Sequence, residues 1–210
     1  MRIVFPLFAR FTALDAVGPY EVLSRLPGAQ VVFAAAAPGP VRTDAGLRVV
    51  ADAALAELEA PDIAVVPGGP GTHEIATPGD PVVEWVRSVH PATTWTTSVC
   101  TGSEVLGAAG LLDGLEATTH WSRVQQLESF GARYTARRVV VQGRIVTAAG
   151  VSSGIDMALT LVAMVAGDDV AKAIQLGIEY DPQPPFDSGS VASASADTVE
   201  LVRAVLATDA

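Results

Sequence analysis

Short apolar runs alternate with longer stretches of mixed character along most of this chain, which predicts strands that alternate with helices. The runs are apolar at successive positions, as is typical of strands buried on both faces of a parallel sheet. The predicted strands are residues 2–7, 30–36, 63–66 and 93–98, with hairpins at 41–50 and 139–148. The predicted helices are residues 15–26, 80–89, 101–109, 121–130, 152–166, 168–180 and 194–207.

This order of elements predicts an α/β domain in which a doubly wound, mainly parallel sheet carries helices on both faces. The length of 210 residues fits one such domain. Pro182, Pro184 and Pro185 mark an irregular segment, and residues 181–210 are expected to form a C-terminal extension packed on the domain. In folds of this kind ligands bind beyond the carboxyl ends of the strands. We therefore expect the functional residues at those ends.

The composition narrows the classes of partner and compartment. Half of the residues are apolar, 17% are charged, and the net charge is −10 with no cluster of Lys or Arg. This balance argues against disorder and predicts no nucleic acid or membrane partner. The chain has no uninterrupted apolar run of membrane-spanning length, and its first residues lack the pattern of a signal peptide. The lone cysteine, Cys100, cannot form an internal disulfide, so a cytoplasmic location is expected.

The spacing of the possible ligands indicates no metal or cofactor site. His73, His90 and His120 are far apart in the sequence, and a single cysteine does not make a zinc cluster. The glycine patterns that bind dinucleotides and nucleoside triphosphates are absent as well. We therefore expect neither a metal ion nor a cofactor.

Cys100 follows a predicted strand and opens a predicted helix. A nucleophile on such a tight turn needs small neighbours two residues away on either side, and Ser98 and Gly102 provide them. The helix N-terminus is expected to lower the pKa of the thiol, and its free N–H groups are expected to bind a developing anion. The alternative interpretation is a buried structural cysteine.

Asp15 lies just beyond the first predicted strand, at the start of the first predicted helix. An acidic residue there is a good N-cap, and the local pattern alone favours that interpretation. Its place at the carboxyl edge of the sheet would also bring it into the same crevice as Cys100. A carboxyl group beside a thiolate is disfavoured as an anion, so Asp15 is also a candidate acid.

Two further segments offer groups at the same edge. Gly68, Gly69 and Gly71 belong to a loop after strand 63–66 that lets the backbone approach a ligand, with the Gly69 N–H as a candidate oxyanion donor. An ordinary turn is the alternative. His120 precedes a predicted helix, where it either caps the helix, lines a pocket or acts as a base.

Taken together, these segments resemble the DJ-1/PfpI superfamily over nearly the whole chain. The cysteine elbow and the Pro-Gly-Gly loop resemble the superfamily at large. The segment at 179–190 most resembles the isonitrile-hydrating members of a narrower branch, and the segments at 14–19 and from Cys100 to Trp121 resemble that branch as a whole. That branch also includes N-terminal domains of AraC-type transcription regulators. The segments are LDAVGP (14–19), VVPGGPGT (65–72), TSVCTGSEVLGAAGLLDG (97–114), ATTHW (117–121), TAAGVSSGIDMALTL (147–161) and EYDPQPPFDSGS (179–190).

The resemblance implies a flavodoxin-like fold and the hydration of an isonitrile to an N-substituted formamide. Cys100 would add to the terminal carbon to give a thioimidate, Asp15 would act as acid and then as base, and Thr101 would hold the two in register. The resemblance also implies a homodimer. The residues expected to line the substrate site are Gly68, Gly69, Gly71, His120 and Gly150.

Two other functions stay open. The same thiolate would serve a DJ-1-like glyoxalase, a deglycase or another cysteine hydrolase. A redox-sensing or ligand-binding domain without turnover is the other alternative, as in the regulators. Protease-type relatives have histidine directly after the cysteine, where this chain has Thr101, and the residues after Tyr180 are too few for a helix-turn-helix module. Both observations favour the hydratase.

Overall fold

A computed structural model describes residues 1–208 of the chain. The strands are β1 (Arg2–Pro6), β2 (Gln30–Ala35), β3 (Gly39–Arg42), β4 (Arg48–Ala51), β5 (Ala53–Ala54), β6 (Ile63–Val66), β7 (Trp95–Val99), β8 (Glu116–Ala117), β9 (Arg133–Tyr134), β10 (Val139–Gln142) and β11 (Ile145–Ala148). The helices are α1 (Ala13–Leu23), α2 (Thr72–Ile75), α3 (Pro81–Val89), α4 (Gly102–Ala108), α5 (Val124–Ser129), α6 (Ser153–Ala166), α7 (Asp168–Gly177) and α8 (Ala196–Thr208).

Seven strands form the central sheet, in the order β10-β11-β7-β6-β1-β2-β5. The pairs from β11 through β5 are parallel, and β10 is antiparallel to β11 at one edge. The sheet is therefore mainly parallel, which confirms the predicted flavodoxin-like class. Strands β1 and β6 are neighbours in the middle of this sheet, so the loops that follow them emerge side by side.

The central strands are buried on both faces, as the apolar runs predict. Every residue of β6 and of β11 is buried, and so are four of the five residues of β1. Because successive side chains of a strand point to opposite faces, such runs require cover on both sides of the sheet. Helices α1, α6 and α7 pack together as one group, and α3 packs against α4 in another.

The hairpin predicted at 41–50 forms as β3 and β4, outside the central sheet. Its turn is held against the chain that follows β1, because Phe11 and Thr43 form an isolated parallel bridge. The Arg10 N–H also donates to the Arg42 carbonyl at 2.9 Å, and the Asp44 N–H to the Phe11 carbonyl at 3.0 Å. The hairpin therefore places its turn beside the segment that leads into α1.

Three predicted helices differ from the observed ones. The helix expected over 121–130 begins with a 3-10 turn over Trp121–Arg123, and only Val124–Ser129 is α-helical. The helix expected over 168–180 ends at Gly177. Helix α1 begins at Ala13 instead of Asp15, so Pro19 lies in its interior. Since proline has no N–H, the Asp15 carbonyl lacks its usual donor four residues later.

The chain divides into two compact units, Met1–Ile178 and the residues from Glu179 onward. The first holds the sheet and α1 to α7. The second holds the proline-containing segment and α8, close to the predicted helix 194–207. The packing expected for residues 181–210 stays a prediction. Among the described residues, no helix is both long and apolar enough to cross a membrane.

Candidate active site

Cys100 sits on the sharp turn between β7 and α4. Its φ angle is +56°, in the left-handed region that residues with a side chain rarely adopt. The residue is buried, with 5% of its surface exposed. A strained strand-to-helix turn is the usual support of a nucleophile in sheets of this kind, because it lifts the side chain above the strand ends. The predicted elbow is therefore present.

The backbone of Cys100 is fixed on both sides of the strained angle. Its N–H donates to the carbonyls of Ala148 and Ala149, at 3.1 and 2.9 Å. Its carbonyl accepts from the hydroxyls of Ser103 and Thr119, both at 3.1 Å. These bonds connect the elbow to the end of β11 and to the loop after β8. Such over-determination is what allows an unfavourable φ to persist.

The loop after β6 is pressed against this elbow. A Cβ atom on Gly68 would lie 2.5 Å from the Thr101 nitrogen, and one on Gly102 would lie 2.3 Å from the Val66 carbonyl oxygen. Neither position has room for a side chain. Close approach of the two loops thus depends on glycine at both positions, and it brings the Gly68 amide to Asp15 and the Gly69 amide to Thr101.

Asp15 reaches the same place from α1. The side chain is fully buried, and its Oδ2 accepts from the Gly68 N–H at 2.9 Å. Its Oδ1 is buried without a hydrogen-bond partner in the described part of the chain. The N-cap residue of α1 is Thr12, three residues earlier. The interpretation of Asp15 as the cap is therefore wrong, and its carboxyl is directed into the site.

Burial sets the protonation of this pair. It raises the pKa of Asp15 from 3.8 to about 7, and the charge of Asp44 adds to that shift. The Gly68 N–H and the Cys100 thiol stabilise the ionised carboxyl and oppose the rise. Burial, and then the Asp15 carboxyl, raise the pKa of Cys100 as well. The expected lowering of the thiol pKa by the helix N-terminus is therefore wrong for this pair.

Three donors nevertheless favour the thiolate of Cys100. The N–H groups of Val151 and Thr101 and the Thr101 hydroxyl each act to lower the pKa of the thiol. They do not outweigh burial, but they point at the sulfur and would stabilise charge on it. Thr101 therefore interacts with the nucleophile, which is one of the two partners expected for it.

The Gly69 N–H is not a free oxyanion donor. It donates to the Thr101 hydroxyl at 2.8 Å, and that hydroxyl also lies 3.2 Å from the Gly69 carbonyl. This amide therefore orients the Thr101 side chain instead of binding an oxyanion. Gly71 contacts the backbone of Ala9, where a Cβ atom would lie 2.0 Å from the carbonyl oxygen. This close contact explains why the loop has glycine at position 71.

His120 lies against Gly150, next to the segment that anchors Cys100. A Cβ atom on Gly150 would be 2.8 Å from the His120 ring. The ring Nδ1 is 2.7 Å from the Ser122 hydroxyl, and burial lowers the pKa of the imidazole. A neutral ring held in this way suits a wall of the site better than a proton carrier.

Val151, Thr119 and Asp44 are the site residues that the sequence does not single out. Val151 follows β11, the neighbour of β7, so the rule that sites form beyond the carboxyl ends of strands would have included it. Thr119 precedes His120 in the same segment. Asp44 lies in a hairpin turn outside the sheet, and no local sequence pattern indicates that this turn lies near the site. Among residues 1–208, no cluster of His, Cys, Asp and Glu is arranged to hold a metal ion.

Comparison with known proteins now gives the family. The model of the DJ-1/PfpI family matches residues 1–164. The chain belongs to the DJ-1/PfpI family. Isonitrile hydratase from Pseudomonas putida is 40% identical over 203 residues, which is 97% of this chain and 89% of that enzyme. The crystal structure of a THiJ/PfpI family protein from Pseudomonas syringae superposes with a TM-score of 0.94 at 36% identity, covering 99% of this chain and 86% of that one.

A glutathione-independent glyoxalase from Caenorhabditis elegans is a more distant relative of this chain. It is 28% identical over 164 residues, which is 77% of this chain and 86% of that enzyme. The relatives of this chain therefore differ in activity, and similarity alone does not select between hydration of an isonitrile and a glyoxalase reaction.

Proposed function

We propose that this protein hydrates isonitriles to N-substituted formamides. The observation that carries the proposal is the pairing of a buried, readily protonated Asp15 with the Cys100 thiol at the carboxyl edge of the sheet. The reaction needs both a nucleophile and a proton at one carbon atom, and this pair supplies both. The 40% identity to isonitrile hydratase from Pseudomonas putida supports the same assignment.

The first step uses the single proton that the pair shares near neutral pH. In the reactive arrangement Cys100 is a thiolate and Asp15 carries the proton. The sulfur bonds to the terminal carbon of R–NC, and Asp15 transfers its proton to that carbon. The product is a thioimidate, R–N=CH–S–Cys100, and an ionised Asp15. The charge moves from sulfur to carboxylate, and the substrate needs no charge of its own.

The second step uses the carboxylate formed in the first. Asp15 removes a proton from water as the oxygen bonds to the thioimidate carbon, and it returns that proton to the nitrogen. The tetrahedral intermediate, R–NH–CH(OH)–S–Cys100, then loses the thiolate while Asp15 accepts the hydroxyl proton. These steps release R–NH–CHO and restore the starting pair. Overall, one isonitrile and one water molecule give one formamide.

The three donors around the sulfur have a defined role in this scheme. The Val151 and Thr101 N–H groups and the Thr101 hydroxyl stabilise the thiolate at the start and at the end of the cycle. The Thr101 hydroxyl lies between Gly69 and Cys100, so rotation of a single O–H bond adjusts it to the charge on sulfur. His120 is a wall residue in this scheme.

The test is to mix the purified protein with cyclohexyl isonitrile and follow N-cyclohexylformamide, with the Cys100→Ala variant as the control. Formamide from the parent protein alone would support the reaction and its nucleophile together. Acid quenching and intact-mass measurement should show an adduct of the mass of one isonitrile on Cys100. No formamide from several alkyl and aryl isonitriles would overturn the proposal. Conversion of methylglyoxal in their place would indicate the glyoxalase reaction, and oxidation of Cys100 by peroxide without any turnover would indicate a sensor.

We also propose that two copies associate and that the protein works in the cytoplasm. The exposed apolar side chains of Leu14 and Val17 on α1, beside Asp15, support an interface between copies. The unpaired Cys100 supports a reducing compartment. Light scattering coupled to size exclusion should give twice the mass of one chain, 21.6 kDa, and a monomer at micromolar concentration would contradict the association.

A further inference from the structure

The start of α1 carries the residues of a capping box but makes neither of its bonds. In that arrangement an N-cap threonine and an acidic residue three positions later bond each other's backbone N–H groups. Thr12 and Asp15 have this spacing, and Thr12 has the extended backbone of an N-cap. Its hydroxyl makes no capping bond to the helix. The usual partners of both side chains have been replaced.

The N–H and the hydroxyl of Thr12 instead bond to two different loops. The Thr12 N–H donates to the Gly68 carbonyl at 2.8 Å, so it does not reach Asp15. The Thr12 hydroxyl donates to Asp44 Oδ2 at 2.7 Å. The Asp15 N–H, in turn, donates to the Thr12 carbonyl at 3.1 Å. Among residues 1–208, Asp15 Oδ1 is left without a hydrogen-bond partner, although the side chain is fully buried.

Asp44 is itself held in place by the hairpin turn. Its Oδ1 accepts from the Ala45 N–H at 2.7 Å, and its own N–H donates to the Phe11 carbonyl at 3.0 Å. The bridge between Phe11 and Thr43 fixes the neighbouring residues. The acceptor of the Thr12 hydroxyl is therefore a positioned group, although its side chain reaches solvent.

We propose that Asp44 is a positioning residue for the reaction, which holds the Thr12 hydroxyl away from Asp15 and so keeps the free carboxyl oxygen available for proton transfer. Residues 12 and 15 are neighbours on one helix face, so a released hydroxyl can rotate onto the carboxylate. A donor placed there would stabilise the ionised form and make Asp15 a poorer acid. This inference rests on the function proposed above.

The groups that act on Asp15 come from three elements around it. The Gly68 N–H from the loop after β6 and the Cys100 thiol from the elbow favour the ionised carboxyl, whereas the negative charge of Asp44 on the hairpin disfavours it. Loss of Asp44 therefore removes a repulsive charge and releases a donor, and both changes lower the pKa of Asp15. The two contributions are separable, since asparagine at this position keeps an acceptor for the hydroxyl but not the charge.

The experiment compares Asp44→Ala, Asp44→Asn and the double variant Thr12→Val/Asp44→Ala with the parent protein. Asp44→Ala should lower kcat for isonitrile about tenfold, the effect of one added hydrogen bond to a charged group. It should also move the acid limb of the pH profile to lower pH. Asp44→Asn should keep most of kcat and should move the acid limb of the pH profile less than Asp44→Ala does. The double variant has no hydroxyl to release, so it should recover most of kcat. Asp52→Ala, at the other end of the hairpin, is the matched control for loss of an exposed aspartate.

A second readout separates this inference from the proposed reaction. Alkylation of Cys100 by iodoacetamide, followed against pH, reports the carboxyl–thiol pair without any isonitrile. The same order of variants should appear there even if the parent protein makes no formamide, in which case the reaction is wrong and the positioning role stands. Failure of Thr12→Val to rescue Asp44→Ala in both assays, with all variants folded by thermal melting, would overturn the role of Asp44.

Discussion

Asp15 and Cys100 approach each other from different elements, and burial raises the pKa of both groups. The carboxyl is fully buried on α1, and the thiol is buried on the elbow after β7. Neither group has an ion-pair partner to hold it as an anion among the described residues. Near neutral pH the pair therefore shares one dissociable proton, which makes it both a latent nucleophile and a latent acid.

The pH dependence of kcat/KM should reflect this shared proton. With both groups protonated there is no thiolate, so activity is low in acid and rises as the pair loses its first proton, at a pH near the Asp15 pKa of about 7. At higher pH the second proton leaves from a thiol whose pKa is raised, and activity falls because no acid remains. Initial rates of formamide formation from pH 5 to pH 11 would check this. A profile that is flat across pH 7 would contradict it.

Asp15→Asn should be inactive yet folded, and its stability should depend less on pH than that of the parent. Folding raises the pKa of Asp15 from 3.8 to about 7. The parent therefore has its full stability from this group below pH 4 and loses it as the pH rises through 7. Between pH 4 and pH 8 the free energy of unfolding of Asp15→Asn should rise relative to that of the parent, by at most about 4 kcal/mol. Urea denaturation at both pH values measures the gain. An unfolded variant would instead assign Asp15 a structural role.

The sequence predicts the sheet well because its strands are buried on both faces and so carry uninterrupted apolar runs. Strand β6 is an example, since its predicted and observed bounds coincide at Ile63 and Val66. The elbow is also predictable, because a nucleophile on a sharp turn restricts its neighbours to small residues. Strands β8 and β9 have only two residues each, which is too short for a periodic signal, so the sequence does not predict them.

The electrostatics of the site were less predictable. A helix N-terminus after Cys100 indicates a lowered thiol pKa, but the extent of burial depends on segments remote in the sequence. In the assembled site the sulfur is buried, and desolvation outweighs the local dipole. The same holds for Gly69, whose amide is occupied by a threonine from another loop. Protonation and free donors are properties of the assembled site.

Thr101 offers a graded test of the hydroxyl contact. Its Oγ1 accepts from the Gly69 N–H at 2.8 Å and acts on the Cys100 thiol as a donor. Thr101→Ser keeps the hydroxyl and should retain most of kcat, whereas Thr101→Val keeps the shape and leaves the buried Gly69 amide without its acceptor. Valine should therefore lower kcat by about ten- to a hundredfold, since a lost bond to a buried group costs about 1–3 kcal/mol. Equal losses in both variants would argue for packing.

Gly68→Ala tests whether the contact between the loop and the elbow is needed for the site. An added Cβ would lie 2.5 Å from the Thr101 nitrogen and 2.8 Å from the Gly102 nitrogen, so one of the two loops must shift. Overpacking of this kind costs about 1–3 kcal/mol of stability, and it moves the Gly68 N–H that binds Asp15.

The matched control is Gly177→Ala, at the end of α7, where a Cβ atom meets nothing within 4 Å. We expect this control to leave the melting temperature and kcat almost unchanged, because alanine is at least as favourable as glycine in a helix. Gly68→Ala should lower both, and its acid limb should move to higher pH because the carboxylate loses a donor. A fully active Gly68→Ala variant with an unchanged pH profile would show that Asp15 does not depend on this loop for its position.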